Sequence, residues 1–547
     1  MTRQLRILNR ASLFLGFLTL AACSDPLKFD ATPVEVEGEE ICEASEDWLP
    51  TTPELPQFLP VPHPAGECPF YRSGWQNFLV AMQPDVNGVP AMVNSPDFLT
   101  IDQVFQHTVQ HPANRSYLGD IKQAGARQIL VDQNGNTLYY GIAVNKAFSD
   151  FIHKYQLENP SNLRAYPDNY PNLTFPAGVV EFKSAWQVVE GTADEIAAQT
   201  ENFISMQTTV PTLSQDADGT IHEDRDNPRT VTVRLLAIHV VSTLVGHPEF
   251  IWASFEHSTA YPVGGEDRMA VEGFRDVAPI GLVDGQSGTD FNPDPIDLNR
   301  SVTAAADPNK SYILYKQGTP MNVSNKPFNA ESEMHLAGQK FMNGNVPQQT
   351  SIYRMFPASK SNTIDPDAAI TSLNHNVGVL FKNAKAAGIM KPYDKRGNYR
   401  LVGAQWMDKP RYFDHDTSLQ NDETSPMIKG PHISQEGELV PAVDRDVLIT
   451  DIKEKGSDSQ YSILAGEDRM SSTAMESFTQ PPGAFNNCFT CHNTQAITAS
   501  GIPKNKDPDT TAVPLLKPGL LNVSHILSQF LLEEREDAEA AAAAAGP

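Results

Sequence analysis

The chain has 547 residues, a formal net charge of −26 and a hydrophobic fraction of 40%. That length provides for two or three domains' worth of hydrophobic core. The acidic surface would repel phosphate backbones and anionic lipid headgroups, so we expect no nucleic-acid partner. Such a surface would attract a basic partner protein or a cationic substrate, although acidity that only keeps the protein soluble explains the charge equally well.

Residues 1–22 predict an export signal. The first ten residues contain three arginines. They are followed by the apolar run 11–22, which is too short to span a bilayer. The run ends in Leu-Ala-Ala-Cys, which resembles the bacterial lipobox, where the leader is cut before a cysteine that then carries lipid. The resemblance implies lipidation of Cys23 and attachment to a membrane through this N-terminal anchor. The alternative is an ordinary signal peptide with an incidental cysteine.

The residue after Cys23 bears on the destination of the protein. It is Ser24, and not the aspartate that resembles an inner-membrane retention signal. We therefore expect an exported protein on the periplasmic side of the outer membrane or at the cell surface.

An acidic tether, residues 23–45, follows the leader, and a proline-rich segment lies between Cys42 and Cys68. Disulfides persist in exported proteins, so we predict that these two cysteines pair and fasten the segment to the body of the protein. Two free thiols are the alternative.

Apolar periodicity predicts helices at residues 68–82, 145–157 and 373–389, and a further helix is expected at 329–343. The first and third have the clearest stripes. Their predicted buried residues are Trp75, Phe78, Leu79 and Met82 in the first, and Val377, Leu380 and Ala384 in the third.

The middle of the chain predicts β-structure. A hairpin is indicated over 127–144, around Asn134 and Gly135, and strands over 179–189, 230–245 and 250–257. Strict alternation over 179–189 places Glu181 and Lys183 on one face, where a cross-strand ion pair is the default expectation.

The last of these strands ends in a histidine–carboxylate cluster. His247, Trp252, Glu256 and His257 lie within eleven residues, which suits a metal or acid–base site. A half-buried strand that ends in a polar turn explains the same pattern. The acidic stretch 214–225 lacks the first and last ligands of a calcium loop, so we interpret it as a surface turn.

These elements predict an α+β protein of two parts. A large β-rich mixed domain of unknown role spans residues 46–455, and a small all-α cytochrome c-like haem domain spans 456–535. Residues 536–547 form an alanine-rich tail.

The second part is predicted from Cys488, Cys491 and His492, which form a Cys-x-x-Cys-His motif, the attachment signature of haem c. The two thiols would bind the vinyl groups of one haem, and the histidine would be the proximal iron ligand. Half of a zinc site and a redox dithiol are the alternatives. Zinc would need a second ligand pair, and a redox dithiol a βαβ surround, whereas helices are indicated here.

The sixth iron position needs a second ligand. No methionine follows Met475, and His525 is the only histidine after His492, so we select His525 as the candidate distal ligand. It lies opposite the apolar stripe of the following helix if that helix includes residue 523, and escapes this objection if Ser524 caps the helix. A solvated histidine or an open iron site are the alternatives. Four further histidines are not ranked: His239, His257, His375 and His432.

Residues 68–79, 179–189, 236–257, 474–494 and 523–527 together resemble a family of uncharacterised bacterial exported lipoproteins with a C-terminal cytochrome c segment. The resemblance implies a haem-binding exported protein.

We expect a membrane-tethered monohaem c-type cytochrome that transfers single electrons to a redox partner protein. The alternatives are a haem-dependent peroxidase or oxygenase, with a small-molecule substrate in the large domain, and a binding lipoprotein whose haem is a sensor or structural staple.

Overall fold

The computed structural model describes residues 41–49, 67–105, 118–121, 137–170, 173–215, 220–244, 247–257 and 368–407, with short segments between 328–347, 432–440 and 464–534. The leader, Cys23, most of the tether, the alanine-rich tail and Cys491 lie outside these residues. In the described part no helix has both the length and the apolar character needed to cross a bilayer.

A nine-stranded sheet organises the described residues. Its main path runs β1-β2-β3-β5-β6-β10-β13, and every pair on that path is antiparallel. β4 pairs antiparallel with β5, and β8 pairs parallel with β5. The strands are β1 Phe98–Thr100, β2 Tyr139–Asn145, β3 Val180–Val189, β4 Ser205–Gln215, β5 Thr220–Leu244, β6 His247–His257, β8 His335–Leu336, β10 Tyr399–Met407 and β13 Leu464–Gly466.

Two small ribbons lie outside this sheet: β7 Phe328–Asn329 pairs with β9 Val346–Pro347, and β11 His432–Ile433 pairs with β12 Leu439–Val440. The strand at His335–Leu336 shows that the helix predicted for 329–343 is wrong at those residues. The acidic stretch 214–225 joins β4 to β5, which are paired strands, so it belongs to a β-hairpin.

The helices are α1 Cys68–Ala81, α2 Ala91–Asn94, α3 Ile101–Phe105, α4 Lys146–Lys154, α5 Pro160–Asn169, α6 Ala193–Thr200 and α7 Ala368–Ala386. The predicted helices at 68–82, 145–157 and 373–389 are confirmed as α1, α4 and α7. The mixture of helices with an antiparallel sheet is the α+β class that the sequence predicted.

One face of the sheet carries the larger hydrophobic core, which α1 and α7 cover. The Phe78 ring stacks on Phe255 of β6 at a centroid distance of 4.6 Å, and the Trp75 ring meets Phe255 edge-on. Val377, Leu380 and Ala384 of α7 are buried in the same core. The apolar stripes of both helices therefore face the sheet, as predicted.

Asn374 of α7 completes an irregular stretch of β10. The register of β10 shifts between Leu401 and Gly403, and β13 pairs only with residues 405–407. The Asn374 side chain accepts from the Leu401 N–H at 3.0 Å and donates to the Leu401 carbonyl at 2.9 Å. It also accepts from Trp75 Nε1 at 3.1 Å. The buried Asn374 amide thus makes the two hydrogen bonds to the Leu401 backbone that a neighbouring strand would otherwise make.

Cys42 and Cys68 form a disulfide, with their Cα atoms 5.3 Å apart. Cys42 is buried in the larger core, and its N–H donates to Ser372 Oγ of α7 at 2.9 Å. The bridge therefore holds residues 41–49 against the body of the protein. The predicted pairing is confirmed, whereas most of the proline-rich segment that it was expected to fasten lies outside the described residues.

Replacing both cysteines by serine is expected to lower the free energy of unfolding by about 3.5 kcal/mol, because the bridge closes a loop with a sequence separation of 26. Urea unfolding of the wild type and of Cys42→Ser/Cys68→Ser measures the loss. A reductant should destabilise only the wild type. An equal response of both proteins to the reductant would contradict this account.

A smaller core lies on the opposite face of the sheet, and the described C-terminal residues are part of it. Leu516, Leu521 and the helix at residues 526–532 pack there with residues of β2, α4, β5 and β6. Phe530 stacks on Phe105 of α3 at a centroid distance of 4.3 Å. The predicted apolar stripe is confirmed at Ile526, Leu527, Phe530 and Leu531, which are buried.

Most of residues 456–535 lie outside the described residues, so the predicted small all-α domain is not shown.

Candidate functional site

One row of residues across the sheet organises the C-terminal motif. Val144, Glu181, Val241, Trp252 and Gln405 are successive register partners on β2, β3, β5, β6 and β10. Register partners point to the same face, so the polar and aromatic side chains of this row share the face that carries the smaller core. We call Glu181, Trp252 and Gln405 the anchor row, because each contacts a described C-terminal residue.

Gln405 holds the start of the motif. The Cys488 N–H donates to Gln405 Oε1 at 2.7 Å, and the His492 N–H donates to the Cys488 carbonyl at 2.8 Å. The second bond closes one helical turn from the first thiol to the histidine. This turn is what the spacing of the motif requires for thiol and imidazole to meet one haem.

Trp252 and His525 lie against the histidine of the motif. The His492 ring is 4.3 Å from the Trp252 ring and 3.8 Å from the His525 ring, centroid to centroid. The two imidazoles stack with an interplanar angle of 20°, so their faces and not their nitrogens oppose each other. Both rings would have to separate before they could bind one iron from opposite sides.

Helical structure begins beyond residue 524, so the objection to His525 does not apply, but Ser524 is not the predicted cap, because its hydroxyl donates to Glu181 Oε2. The Gln529 N–H donates to the His525 carbonyl at 2.8 Å, so helical hydrogen bonding begins at His525. The ring therefore precedes the apolar stripe and turns toward His492.

Glu181 anchors the start of the same helix. The Ser524 hydroxyl donates to Glu181 Oε2 at 2.7 Å, and both residues are buried. Burial raises the pKa of the Glu181 carboxyl from 4.5 to about 7, and the Ser524 hydrogen bond opposes that rise. The register neighbours of Glu181 are Val144 and Val241, so the predicted cross-strand ion pair is wrong for this residue.

The raised pKa predicts a pH-dependent stability. Between pH 4.5 and about 7 the folded state retains a proton that the unfolded state has lost, so the free energy of unfolding falls as pH rises through that window. The full effect is about 3 kcal/mol. Glu181→Gln keeps an acceptor for Ser524 and should remove this contribution. Urea unfolding at pH 5 and pH 8 tests it, and an equal pH dependence in both proteins would contradict the assignment.

A second polar row lies two residues along each strand from the anchor row. Lys183, His239 and Ser254 are register partners on β3, β5 and β6, and Ser254 Oγ is 2.8 Å from His239 Nδ1. They share the face of the anchor row because strand side chains alternate with a period of two. We call these three residues the polar row.

The predicted cluster in 247–257 is divided between the two faces of β6. Trp252 and Glu256 share one face, whereas His257 points to the other. The His257 ring stacks on Phe203 at 3.7 Å, and Nε2 lies 3.1 Å from the Asn202 carbonyl. Burial lowers the pKa of His257 to about 3. His257 is therefore a neutral packing residue, and the single metal or acid–base cluster is wrong.

The donor set of the motif fits a haem as far as the structure describes it. Cys488 is half-buried, His492 follows it within one helical turn, and the imidazole of His525 stacks on that of His492. Among the described residues no group of three or more His, Cys, Asp or Glu side chains is placed to hold a metal ion. His375 lies on α7, outside both rows, and nothing is described of the His432 side chain.

The anchor row is the part of the site that sequence reasoning missed. Gln405 was not singled out, Trp252 was noted only within the cluster, and Glu181 was assigned an ion pair. A glutamate and a glutamine within apolar strands are the one available signal, because buried polar groups need partners. Comparison with protein-family models, curated proteins and solved structures finds no match to this chain.

Proposed function

We propose that this protein is an exported monohaem c-type cytochrome that transfers single electrons. The observation that carries the proposal is the helical turn from Cys488 to His492, with the His525 ring 3.8 Å from His492. This turn gives the Cys-x-x-Cys-His motif the local geometry that haem attachment needs. Bound haem would supply a one-electron couple.

Different residues would attach the haem, bind its iron and exclude water. Cys488 and Cys491 would hold the haem, His492 would be the fixed iron ligand, and His525 is the candidate for the sixth position. Trp252 and the smaller core exclude water from one side of the histidine pair. The acidic composition favours a basic redox partner.

Export and anchoring belong to the same proposal. Cleavage before Cys23 and lipidation of that residue would hold the protein on the periplasmic side of the outer membrane or at the cell surface. The leader that ends in Leu-Ala-Ala-Cys supports this location, as does the Cys42–Cys68 disulfide.

The experiment is spectroscopy and intact mass of the full chain produced with cytochrome maturation machinery. The proposal expects the added mass of one haem and a low-spin spectrum in both redox states. Replacing His525 by alanine should convert the spectrum to high-spin. Colourless protein without added mass would refute haem binding, and an unchanged spectrum in His525→Ala would remove that residue as ligand.

A second candidate is a haem-dependent peroxidase or oxygenase-type enzyme. The polar row favours it, because a hydrogen-bonded histidine and serine share the face that carries His492. Carbon monoxide and peroxide distinguish the two: an unchanged low-spin spectrum excludes an open iron site, whereas a rapid reaction of a high-spin ferric form with peroxide would favour the enzyme.

A further inference from the structure

The sheet of the large domain contacts the C-terminal motif at separate points that lie in one register row. Gln405 binds the Cys488 N–H, the Trp252 ring meets His492, and Glu181 accepts from Ser524. Glu181 and Gln405 are three strands apart, about 14 Å at ordinary strand spacing. Two segments separated by more than thirty residues in sequence are thus held against one line across the sheet.

We propose that the anchor row is the positioning site of the haem-binding motif, and that Trp252 and Gln405 set the orientation and water exposure of His492. The inference rests on the proposed function, since it concerns the residue that would bind the iron. It goes further by assigning the large domain a role as the wall of the haem site.

The contacts are of the kind that orients a ligand. Gln405 is fully buried, so its bond to Cys488 does not compete with bulk water. The bond fixes the first residue of the turn, and the turn fixes His492 four residues later. Trp252 is only 5% exposed and lies at 4.3 Å from the imidazole, which restricts the ring and keeps water from that side.

Residues in the outer shell of a metal ligand typically change affinity or activity by about tenfold or more when they are replaced. Loss of Trp252 would admit water to His492, and water stabilises the more highly charged ferric state. We therefore expect a lower reduction potential. A tenfold change in the ratio of the two oxidation states corresponds to about 59 mV for a one-electron couple.

The test compares Trp252→Leu and Gln405→Met with a matched control, Trp406→Leu. Met keeps the length of Gln but has no strong acceptor for the Cys488 N–H. Trp406 directly follows Gln405 on β10, is buried, and points to the opposite face, where it stacks on Phe70 at 4.1 Å. The control thus removes a tryptophan of similar burial without touching the motif.

Two readouts are used: the reduction potential of the holoprotein and the hydrogen-exchange rate of the Cys488 amide. We expect both test variants to shift the potential and to speed exchange, whereas Trp406→Leu should lower stability and change neither. Trp252→Phe, which retains an aromatic ring, should recover most of the potential and replaces Trp252→Leu if that variant does not fold.

The outcomes separate the inference from the proposed function. A wild-type protein without haem would refute the function, and faster Cys488 exchange in haem-free Gln405→Met would still support the positioning site. Potentials and exchange rates equal to wild type in both test variants would overturn the inference. An equal shift in Trp406→Leu would also overturn it, since the effect would then come from general destabilisation.

Discussion

Replacing Cys488 and Cys491 by serine together is expected to give a protein with no covalently bound haem. Thioether formation needs a thiol at each position, and a serine hydroxyl does not replace it. His492 alone would leave any haem exchangeable, so haem would be lost on denaturation. Intact mass and haem staining of a denaturing gel measure the loss, which should be complete.

The matched control is Cys42→Ser/Cys68→Ser, which also removes two cysteines. These residues lie with α1 and α7 on the opposite face of the sheet, so this variant should keep its full haem content while losing stability. Haem that survives denaturation in the Cys488/Cys491 variant would contradict attachment through the motif. Loss of haem in the control variant would show that attachment depends on general folding.

Replacing Asn374 by alanine is expected to destabilise the protein strongly. It would leave the Trp75 indole N–H and both backbone groups of Leu401 without this partner. Each unsatisfied buried group costs about 1–3 kcal/mol, so we expect the free energy of unfolding to fall by about 3–5 kcal/mol. Natural domains have a free energy of unfolding of about 5–15 kcal/mol, so this loss would be a large share of the total stability.

Asn376→Ala is the control, because Asn376 lies on the same helix and its Nδ2 bonds only to the Ser372 carbonyl one turn away. That change should cost less than about 1 kcal/mol. Denaturant unfolding of both variants measures the difference. If the two variants lose the same free energy of unfolding within the error of the measurement, the Asn374 hydrogen bonds to Leu401 and Trp75 do not have the stabilising role assigned to them.

The sequence predicted well what depends on local spacing. The stripes of α1 and α7, the alternation in β3 and the helical turn of the motif all follow from intervals of two, three or four residues.

Contacts across strands were beyond sequence reasoning because register depends on residues far apart in the chain. Gln405 and Cys488 are 83 residues apart in the chain, and Asn374 and Leu401 are 27 apart, so no local spacing indicates either contact. Glu256 and His257 are adjacent in sequence, yet a strand sends them to opposite faces. Glu181 was given an ion pair because its apolar neighbours Val144 and Val241 come from other strands.

The smaller core joins residues that lie far apart in the chain. Val144, Phe148 and Phe250 pack there with residues of 516–532. Contacts between residues so distant in sequence require a long loop to close, which slows folding. We therefore expect this core to form late, and a chain cut before residue 516 would expose an apolar surface on the sheet, which favours aggregation and proteolysis.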